Sequence, residues 1–149
     1  MKYAYHRFPS FMERNVSICD SQIYRIESAG NCVRFWFFNG GFISADGQTI
    51  ARKDGYVELP NCDSDDFTCV LFKRKISDQG GLLAGMPISL AELNKLLQEQ
   101  RLKLEIYLEL YDFNYLYWRG ALLPNATEGL SDRVDIEVGG HYSIEFVGN

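Results

Sequence analysis

Residues 102–119 read LKLEIYLELYDFNYLYWR. Leucine or isoleucine stands at every even position from 102 to 110, whereas charged residues and tyrosines stand at the odd positions between them. This period of two predicts a long strand with one buried and one exposed face. A three-residue turn over Asp112, Phe113 and Asn114 then lets the chain return as a second strand. The predicted hairpin has these cross-strand pairs on its outer side: Tyr111 with Tyr115, Glu109 with Tyr117, and Tyr107 with Arg119. Leu108 meets Trp118 on its inner side.

The rest of the chain carries the same kind of signal. Short β-branched and aromatic runs predict strands at Ile23 to Glu27, Val33 to Phe38, Phe42 to Ala45, Tyr56 to Leu59, and Phe67 to Lys75. Asn39-Gly40-Gly41 predicts a tight hairpin turn, because these residue types tolerate a positive φ. The polar segment 60–66 predicts a surface loop.

A last hairpin is predicted near the end of the sequence. A three-residue turn, Gly139-Gly140-His141, keeps apolar residues opposite one another. Its predicted pairs are Val138 with Tyr142, Ile136 with Ile144, Val134 with Phe146, and Asp135 with Glu145 on the outer face.

One segment has a helical pattern. Ser89 followed by Glu92 is a capping box, in which each side chain accepts a hydrogen bond from the other residue's backbone N–H. The leucines that follow recur at helical spacing, at positions 90, 93, 96 and 97. The sequence therefore predicts one domain over 1–149, of the α+β class. It is predominantly an antiparallel β-sheet of about seven to nine strands, with one main helix near residues 89–101.

Composition limits the function. The 149 residues carry 15 Lys+Arg and 20 Asp+Glu, a net charge of -5, which argues against a nucleic-acid-binding protein. The sequence has neither a secretory signal pattern nor a run of about 20 apolar residues, so no membrane association is expected. The four cysteines show no zinc spacing and are expected to be free thiols in a reducing cytoplasm.

Catalytic equipment is sparse. The chain has only two histidines, His6 and His141, and neither a Walker loop nor a G-x-G-x-x-G motif. The acidic run at 63–66 lacks the glycine and glutamate that an EF-hand loop needs. Asp135 and Glu145 are the best carboxylate pair, but their expected solvent exposure argues against acid–base catalysis. We therefore predict a protein that is not an enzyme and binds neither a metal nor a cofactor.

The outward side of the two predicted hairpins is rich in acids and tyrosines. Residues 76–149 contain 5 basic and 11 acidic residues, against 10 and 9 in residues 1–75. Tyrosine gives large contact area at low entropic cost, and acids steer a cationic partner. The predicted partner-binding residues are Glu105, Tyr107, Glu109, Tyr111, Tyr115, Tyr117, Asp135, Glu137 and Glu145, with Trp36 as a further anchor. The same pattern also arises if the acids only keep the sheet soluble, or if the helix covers this face.

The favoured hypothesis is a small acidic inhibitor, of the kind typified by bacterial immunity proteins, that neutralises a basic toxin such as a nuclease. The alternative is a small-molecule-binding or enzymatic β domain. Its pocket would lie between helix and sheet, with Trp36, Phe38 and Trp118 in its walls and the segment from Gly80 to Pro87 as a lid. A self-associating structural subunit ranks third, because an acidic face opposes face-to-face packing.

Overall fold

The computed structural model describes residues 1–10, 12–74, 81, 84–124, 131–140 and 143–149. It contains one α-helix, α1, at Leu90–Glu99, and a short 3-10 turn at Ser64–Asp66. The strands are β1 (Lys2–Tyr5), β2 (Val16–Ser17), β3 (Gln22–Ala29), β4 (Cys32–Ile43), β5 (Ile50–Pro60), β6 (Phe67–Phe72), β7 (Met86–Ile88), β8 (Lys103–Asp112), β9 (Tyr115–Leu123), β10 (Arg133–Gly139) and β11 (Ile144–Gly148).

All the strands belong to one antiparallel sheet, in the order β1-β11-β5-β4-β3-β8-β9-β10-β6-β7, with β2 added alongside β4. The predicted α+β class, with a mostly antiparallel sheet and one helix, is confirmed. The strand number is somewhat higher than predicted, because β1, β2 and β7 are too short to show an alternating pattern. The loop predicted over 60–66 is confirmed between β5 and β6.

The sheet folds over so that its two halves enclose one hydrophobic core. Phe35 on β4 contacts Trp118 on β9 edge-to-face at 5.2 Å between ring centroids, and Phe67 on β6 at 5.6 Å. These strands are not neighbours in the sheet order, so the contacts cross the interior. Folding over buries the apolar side of every long strand, which a flat sheet of this size would leave in water.

The predicted turn at Asn39-Gly40-Gly41 is wrong, because β4 runs through it. The strand instead has an irregularity between Phe37 and Gly40, and Asn39 adopts a φ of 58°. A Cβ on Gly40 would lie 2.2 Å from the Phe37 ring, so this glycine permits close packing rather than a turn. The chain reverses at Ser44–Thr49, where Gly47 has a φ of 71°.

The hairpin of β8 and β9 forms, but in a different register from the predicted one. Its turn has two residues, Phe113 and Asn114, so that Asp112 pairs with Tyr115 and Leu110 with Tyr117. The register then shifts between Ile106 and Leu108, which marks a β-bulge at Tyr107. A bulge inserts one residue and reverses the inward and outward order of the side chains beyond it.

The predicted terminal hairpin is also wrong. β10 pairs with β6 and β9, whereas β11 pairs with β1 and β5 in the other half of the sheet. Ile136 therefore pairs with Trp118 and Cys69, and Ile144 with Tyr5. The predicted partners His141 and Tyr142 lie outside the described residues.

The helix starts with the predicted capping box of Ser89 and Glu92. It buries Leu90, Leu93 and Leu97 in the core and lies beside β3, where β3 separates from β8. The Asn94 side chain accepts a hydrogen bond from the Ile26 backbone N–H at 2.8 Å. The helix thus closes one end of the core and leaves the outer face of β9 and β10 uncovered. No helix among the described residues is long and apolar enough to cross a membrane.

Candidate functional site

The nine predicted partner-binding residues divide among three places. Four of them form one cluster on the outer face of β9 and β10: Tyr115, Tyr117, Asp135 and Glu137. Two point into the protein, Glu109 and Tyr111. The other three lie apart from the cluster: Glu105 and Tyr107 on the first half of β8, and Glu145 on β11.

Glu109 is the largest correction to the predicted site. The bulge turns its side chain inward, and only 3% of that side chain remains exposed. Its carboxylate accepts hydrogen bonds from Arg14, from the Ser17 hydroxyl at 2.6 Å and from the Cys19 backbone N–H at 3.0 Å. Glu109 therefore anchors the N-terminal segment to the sheet and is inaccessible to a partner.

Tyr111 turns inward with Glu109. The Trp118 indole N–H donates a hydrogen bond to the Tyr111 hydroxyl at 3.1 Å, which satisfies the one polar atom of this buried tryptophan. Burial and the nearby Glu109 charge raise the pKa of Tyr111 well above its usual value. Tyr111 therefore has a structural role, and its half-buried ring lies away from the cluster on β9 and β10.

Tyrosine–carboxylate pairs organise the cluster on β9 and β10. The Tyr115 hydroxyl donates to Glu137, and the Tyr117 hydroxyl donates to Asp135. Partial burial raises the pKa of Tyr115 to about 12, and the hydrogen bond to the Glu137 carboxylate adds to the shift. Both rings are thereby held in fixed orientations on rigid strands.

The carboxylates of the cluster differ in their charge balance. Asp135 accepts hydrogen bonds from Arg119 at 3.3 Å and Arg133 at 3.0 Å, so its charge is compensated. Glu137 and Asp112, nearer the hairpin turn, form no ion pair with any described residue. The two arginines were absent from the predicted site. The sequence could indicate them only through the pairing of β9 with β10, in which Arg119 lies directly opposite Asp135.

The bulge also places leucines where acids and tyrosines were predicted. Beyond Tyr107, the outward residues of β8 are Leu108 and Leu110, and Leu110 is 53% exposed. Phe113 in the turn is 56% exposed. Four of the eight large apolar side chains that are well exposed in the described chain belong to this one hairpin: Tyr107, Leu110, Phe113 and Tyr115. We call the outward surface of Leu108, Leu110, Tyr115 and Tyr117 the hairpin face.

The remaining predicted acids are occupied elsewhere. Glu105 accepts a hydrogen bond from the Gln22 side-chain amide at 3.0 Å. Glu145 pairs across the strands with Ala4 and Glu58 and lies 3.1 Å from the Lys2 ammonium. The predicted opposition of Asp135 and Glu145 does not occur, because their strands lie in different halves of the sheet.

Trp36, the further predicted anchor, lies on the outer side of the other half. It stands between Arg25 on β3 and Tyr56 on β5, and its indole N–H donates to Glu27 at 3.1 Å. In the next row, Arg34 donates two hydrogen bonds to Glu58, at 2.7 and 3.0 Å. We call the outward surface of Arg25, Glu27, Arg34, Trp36, Tyr56 and Glu58 the arginine–aromatic face.

The residues predicted to form the walls of a small-molecule pocket, Trp36, Phe38 and Trp118, do not line one cavity. Trp118 is fully buried, whereas Trp36 and Phe38 point outward from the opposite side of the sheet. The cavity between α1 and the sheet is lined by Ile26, Val33 and Leu90, among others, and measures about 170 Å³. Ligand pockets are usually about 300 to 1,000 Å³. Of the proposed lid, Gly80, Leu82 and Leu83 lie outside the described residues.

The described residues contain no group of three His, Cys, Asp or Glu side chains that could hold a metal ion. The acidic run at 63–66 has a local role: Asp63 and Asp66 cap the 3-10 turn through each other's backbone N–H. All four cysteines are free, and burial raises the pKa of Cys19 and Cys62 to about 11 and that of Cys69 to about 12. These three thiols are therefore protonated near neutral pH and are poor nucleophiles.

Comparisons with protein-family models, with curated proteins and with solved structures find no significant match to this chain.

Proposed function

We propose that this chain is a non-enzymatic protein-binding domain and that the hairpin face docks a basic protein. The observation that carries the proposal is that Leu110 is 53% exposed beside Tyr115 and Tyr117 on paired strands, with Phe113, 56% exposed, next to them in the hairpin turn. Large apolar side chains gathered on one exposed surface are typical of interaction sites, whereas scattered ones are normal on any protein.

The hairpin face has the composition of an interface core. Covering a leucine or an aromatic side chain with a partner removes apolar area from water, at about 25 cal/mol for each Å². Tyr115 and Tyr117 lose little entropy on binding, because Glu137 and Asp135 already fix their hydroxyls. Tyrosines in such preformed positions are frequent binding hot spots.

Charge indicates the class of partner. Glu137 and Asp112 border the hairpin face without a cation partner among the described residues, and the whole chain has a net charge of -5. Uncompensated acids beside an apolar patch steer a positively charged surface into register.

In its most specific form, the proposal is that the chain is an immunity-type inhibitor of a toxin. A nuclease fits this role, because its substrate-binding cleft must carry cations that attract phosphates and can equally attract Glu137 and Asp112. Occupation of that cleft by the hairpin face would block the substrate, which requires a stoichiometric complex and no chemistry by the inhibitor.

The test is affinity capture from the native host at low salt, with three forms of the protein compared. The first is the wild type, the second is Leu110→Ser, and the third is the matched control Ile50→Ser. Ile50 is 57% exposed but lies at the start of β5, in the other half of the sheet. Circular dichroism and the thermal midpoint establish that all three forms are folded.

The proposal predicts a basic protein that is retained by the wild type and by Ile50→Ser and is lost with Leu110→Ser. Equal retention by all three forms, or no retained protein at all, would refute it. The retained protein is then assayed for nuclease activity. We expect equimolar wild type to abolish that activity and Leu110→Ser to leave it intact; a partner without nuclease activity would limit the proposal to protein binding.

A further inference from the structure

A cavity of about 180 Å³ opens beside the hairpin face, between the N-terminal segment and the turn of β8 and β9. Phe8 and Tyr111 form its inner walls, and Phe113 forms one side. Phe8 is buried and lies 6.3 Å from the Tyr111 ring, so this part of the cavity is built on the packed core. Its size suits one long side chain and not a drug-sized ligand.

The aromatic walls already attract guanidinium groups of this chain. The Arg7 guanidinium lies 5.4 Å from the centre of the Phe113 ring, and the Arg14 guanidinium lies 5.4 Å from the centre of the Tyr111 ring. Contacts of this kind are favourable because a cation is attracted to the negative face of an aromatic ring. The cavity therefore has the ring arrangement that favours a planar cation.

Two carboxylates complete the lining. Glu13 lies on the N-terminal side and Asp112 on the hairpin side, and both are exposed. Within the described ranges, each accepts a hydrogen bond only from a nearby backbone N–H: Ser10 for Glu13 and Phe113 for Asp112. Arg7 covers the Phe113 ring but forms no ion pair with either acid. The lining thus carries two acids and one cation, Arg7, and the charge of Arg14 beside the Tyr111 wall is compensated by Glu109, so the net charge around the cavity is negative.

We propose that this cavity takes an arginine side chain of the basic partner, an inference that rests on the proposed function and names one contact of it. The guanidinium would enter between the aromatic walls, beside Arg7 on the Phe113 ring, and donate hydrogen bonds to Glu13 and Asp112. Arginine suits the site better than lysine, because its planar fork combines ring stacking with several directed N–H donors, whereas an ammonium is a compact and strongly hydrated charge.

The test uses the whole 149-residue chain without a partner and a small probe, N-acetyl-arginine methylamide, and measures binding by backbone amide chemical shifts in NMR. The neutral isostere N-acetyl-citrulline methylamide is the matched ligand control, and N-acetyl-lysine methylamide compares the two cations. We expect saturable shifts centred on Phe8, Glu13 and residues 111–113, with a dissociation constant on the order of millimolar.

Two double variants separate the cavity from general charge effects. Glu13→Gln with Asp112→Asn is expected to weaken the arginine probe by about tenfold, because charge-assisted hydrogen bonds are lost. Asp20→Asn with Glu99→Gln removes the same charge from exposed acids elsewhere and should leave the affinity unchanged. Equal shifts with citrulline, tighter binding of the lysine probe, shifts spread over all acidic surfaces, or equal weakening by both double variants would overturn the proposal.

The inference and the proposed function can fail separately. If the arginine probe binds nowhere but Leu110→Ser still loses the captured partner, the cavity is not an arginine site and the hairpin face remains the docking surface. If the probe binds in the cavity but Leu110→Ser retains the partner, the hairpin face is wrong and the cavity stands alone.

Discussion

The two outer faces of the folded sheet are both rich in aromatic and charged residues, yet they are built differently. On the arginine–aromatic face, the side chains form hydrogen bonds and ring contacts with one another. The Trp36 indole N–H donates to Glu27. The Arg34 guanidinium donates to Glu58 and lies 4.5 Å from the centre of the Tyr56 ring. On the hairpin face, Leu110 is half in water, and Glu137 carries no compensating cation among the described residues.

Composition alone therefore does not identify a docking surface. When the aromatic and charged side chains of a face pair with one another, their contacts stabilise the fold. Few of these side chains then remain unpaired for contacts with a partner. A face that leaves apolar side chains in water gains free energy only when something covers it. By this criterion we propose the hairpin face, and not the face that carries Trp36, as the docking surface.

The bulge at Tyr107 produces the contrast. It sends Glu109 inward and Leu110 outward, against the simple alternation of the strand. The exchange is stabilised because Glu109 finds Arg14, Ser17 and the Cys19 N–H inside the protein. The exposed leucines are thus linked to a buried ion pair.

The largest expected effect is a difference in unfolding free energy between variants of the inward-facing Glu109 and the outward-facing Glu105 of β8. Glu109→Ala removes the partner of Arg14, whose side chain is only 14% exposed. Breaking a buried pair in this way typically costs about 3–5 kcal/mol of unfolding free energy. Glu105→Ala, on the outer side of the same strand, should cost less than about 1 kcal/mol. Urea unfolding of the two variants measures both values, and equal costs would mean that the bulge does not turn Glu109 inward.

A smaller effect distinguishes the two faces directly. Trp36→Ala removes the Tyr56 contact, the Glu27 hydrogen bond and the cation contacts of Arg25 and Arg34, and should destabilise by about 1–3 kcal/mol. Leu110→Ala should change stability by less than about 0.5 kcal/mol, because its side chain contributes little to the folded state. Thermal and urea unfolding provide the comparison. A larger loss for Leu110→Ala than for Trp36→Ala would reverse the assignment of the two faces.

The smallest effect is the pH dependence that one residue of the hairpin face, Tyr115, contributes to stability. The pKa of Tyr115 is raised from 10.0 to about 12 in the folded protein, so the folded state holds this proton more tightly than the unfolded state. Its contribution is fully present below pH 10 and is lost as the pH rises toward about 12. The unfolding free energy of Tyr115→Phe should therefore fall less than that of wild type over this window.

The Glu137 contribution to the same shift can be isolated. Glu137→Gln keeps a hydrogen-bond acceptor but removes its charge, so the pKa of Tyr115 should move down toward 10.0. The phenolate absorbance that Tyr115→Phe removes gives the titration of this residue, with and without the Glu137 change. A titration unmoved by Glu137→Gln would show that the Glu137 carboxylate does not contribute to the shift.

The start of the helix was predictable from the sequence, because its signal is set by nearby residues. The capping box of Ser89 and Glu92 is complete within four residues, and the helix begins where it predicts. The hairpin of β8 and β9 was also predictable as an element, because its alternation is long. Its register was not predictable. Leucine and isoleucine occupy the inward positions before the bulge, whereas glutamate and tyrosine occupy them after it, so no single residue type marks the inward side of the strand. The inward position of Glu109 is matched by its partners Arg14, Ser17 and Cys19, which lie 90 to 95 positions earlier in the chain.

The candidate site was predictable only in part for the same reason. Tyr115, Tyr117, Asp135 and Glu137 fall together because β10 pairs with β9, although the sequence suggested that β10 pairs with β11. Glycines at 139 and 140 indicate a chain reversal, but β11 instead crosses to β5 and β1, a pairing that local sequence does not specify. The exposed leucines were not predicted, because the alternating pattern assigned them to the buried face of the strand.

The most direct test of the account is oxidative footprinting of side chains by hydroxyl radicals, with and without the captured partner. Both faces present oxidisable rings in one experiment, so each serves as the control for the other. We expect the partner to protect Leu110, Phe113 and Tyr115 and to leave the oxidation of Trp36 and Tyr56 unchanged. Protection of Trp36 and Tyr56, with Leu110, Phe113 and Tyr115 still oxidised at the rate of the free protein, would contradict it.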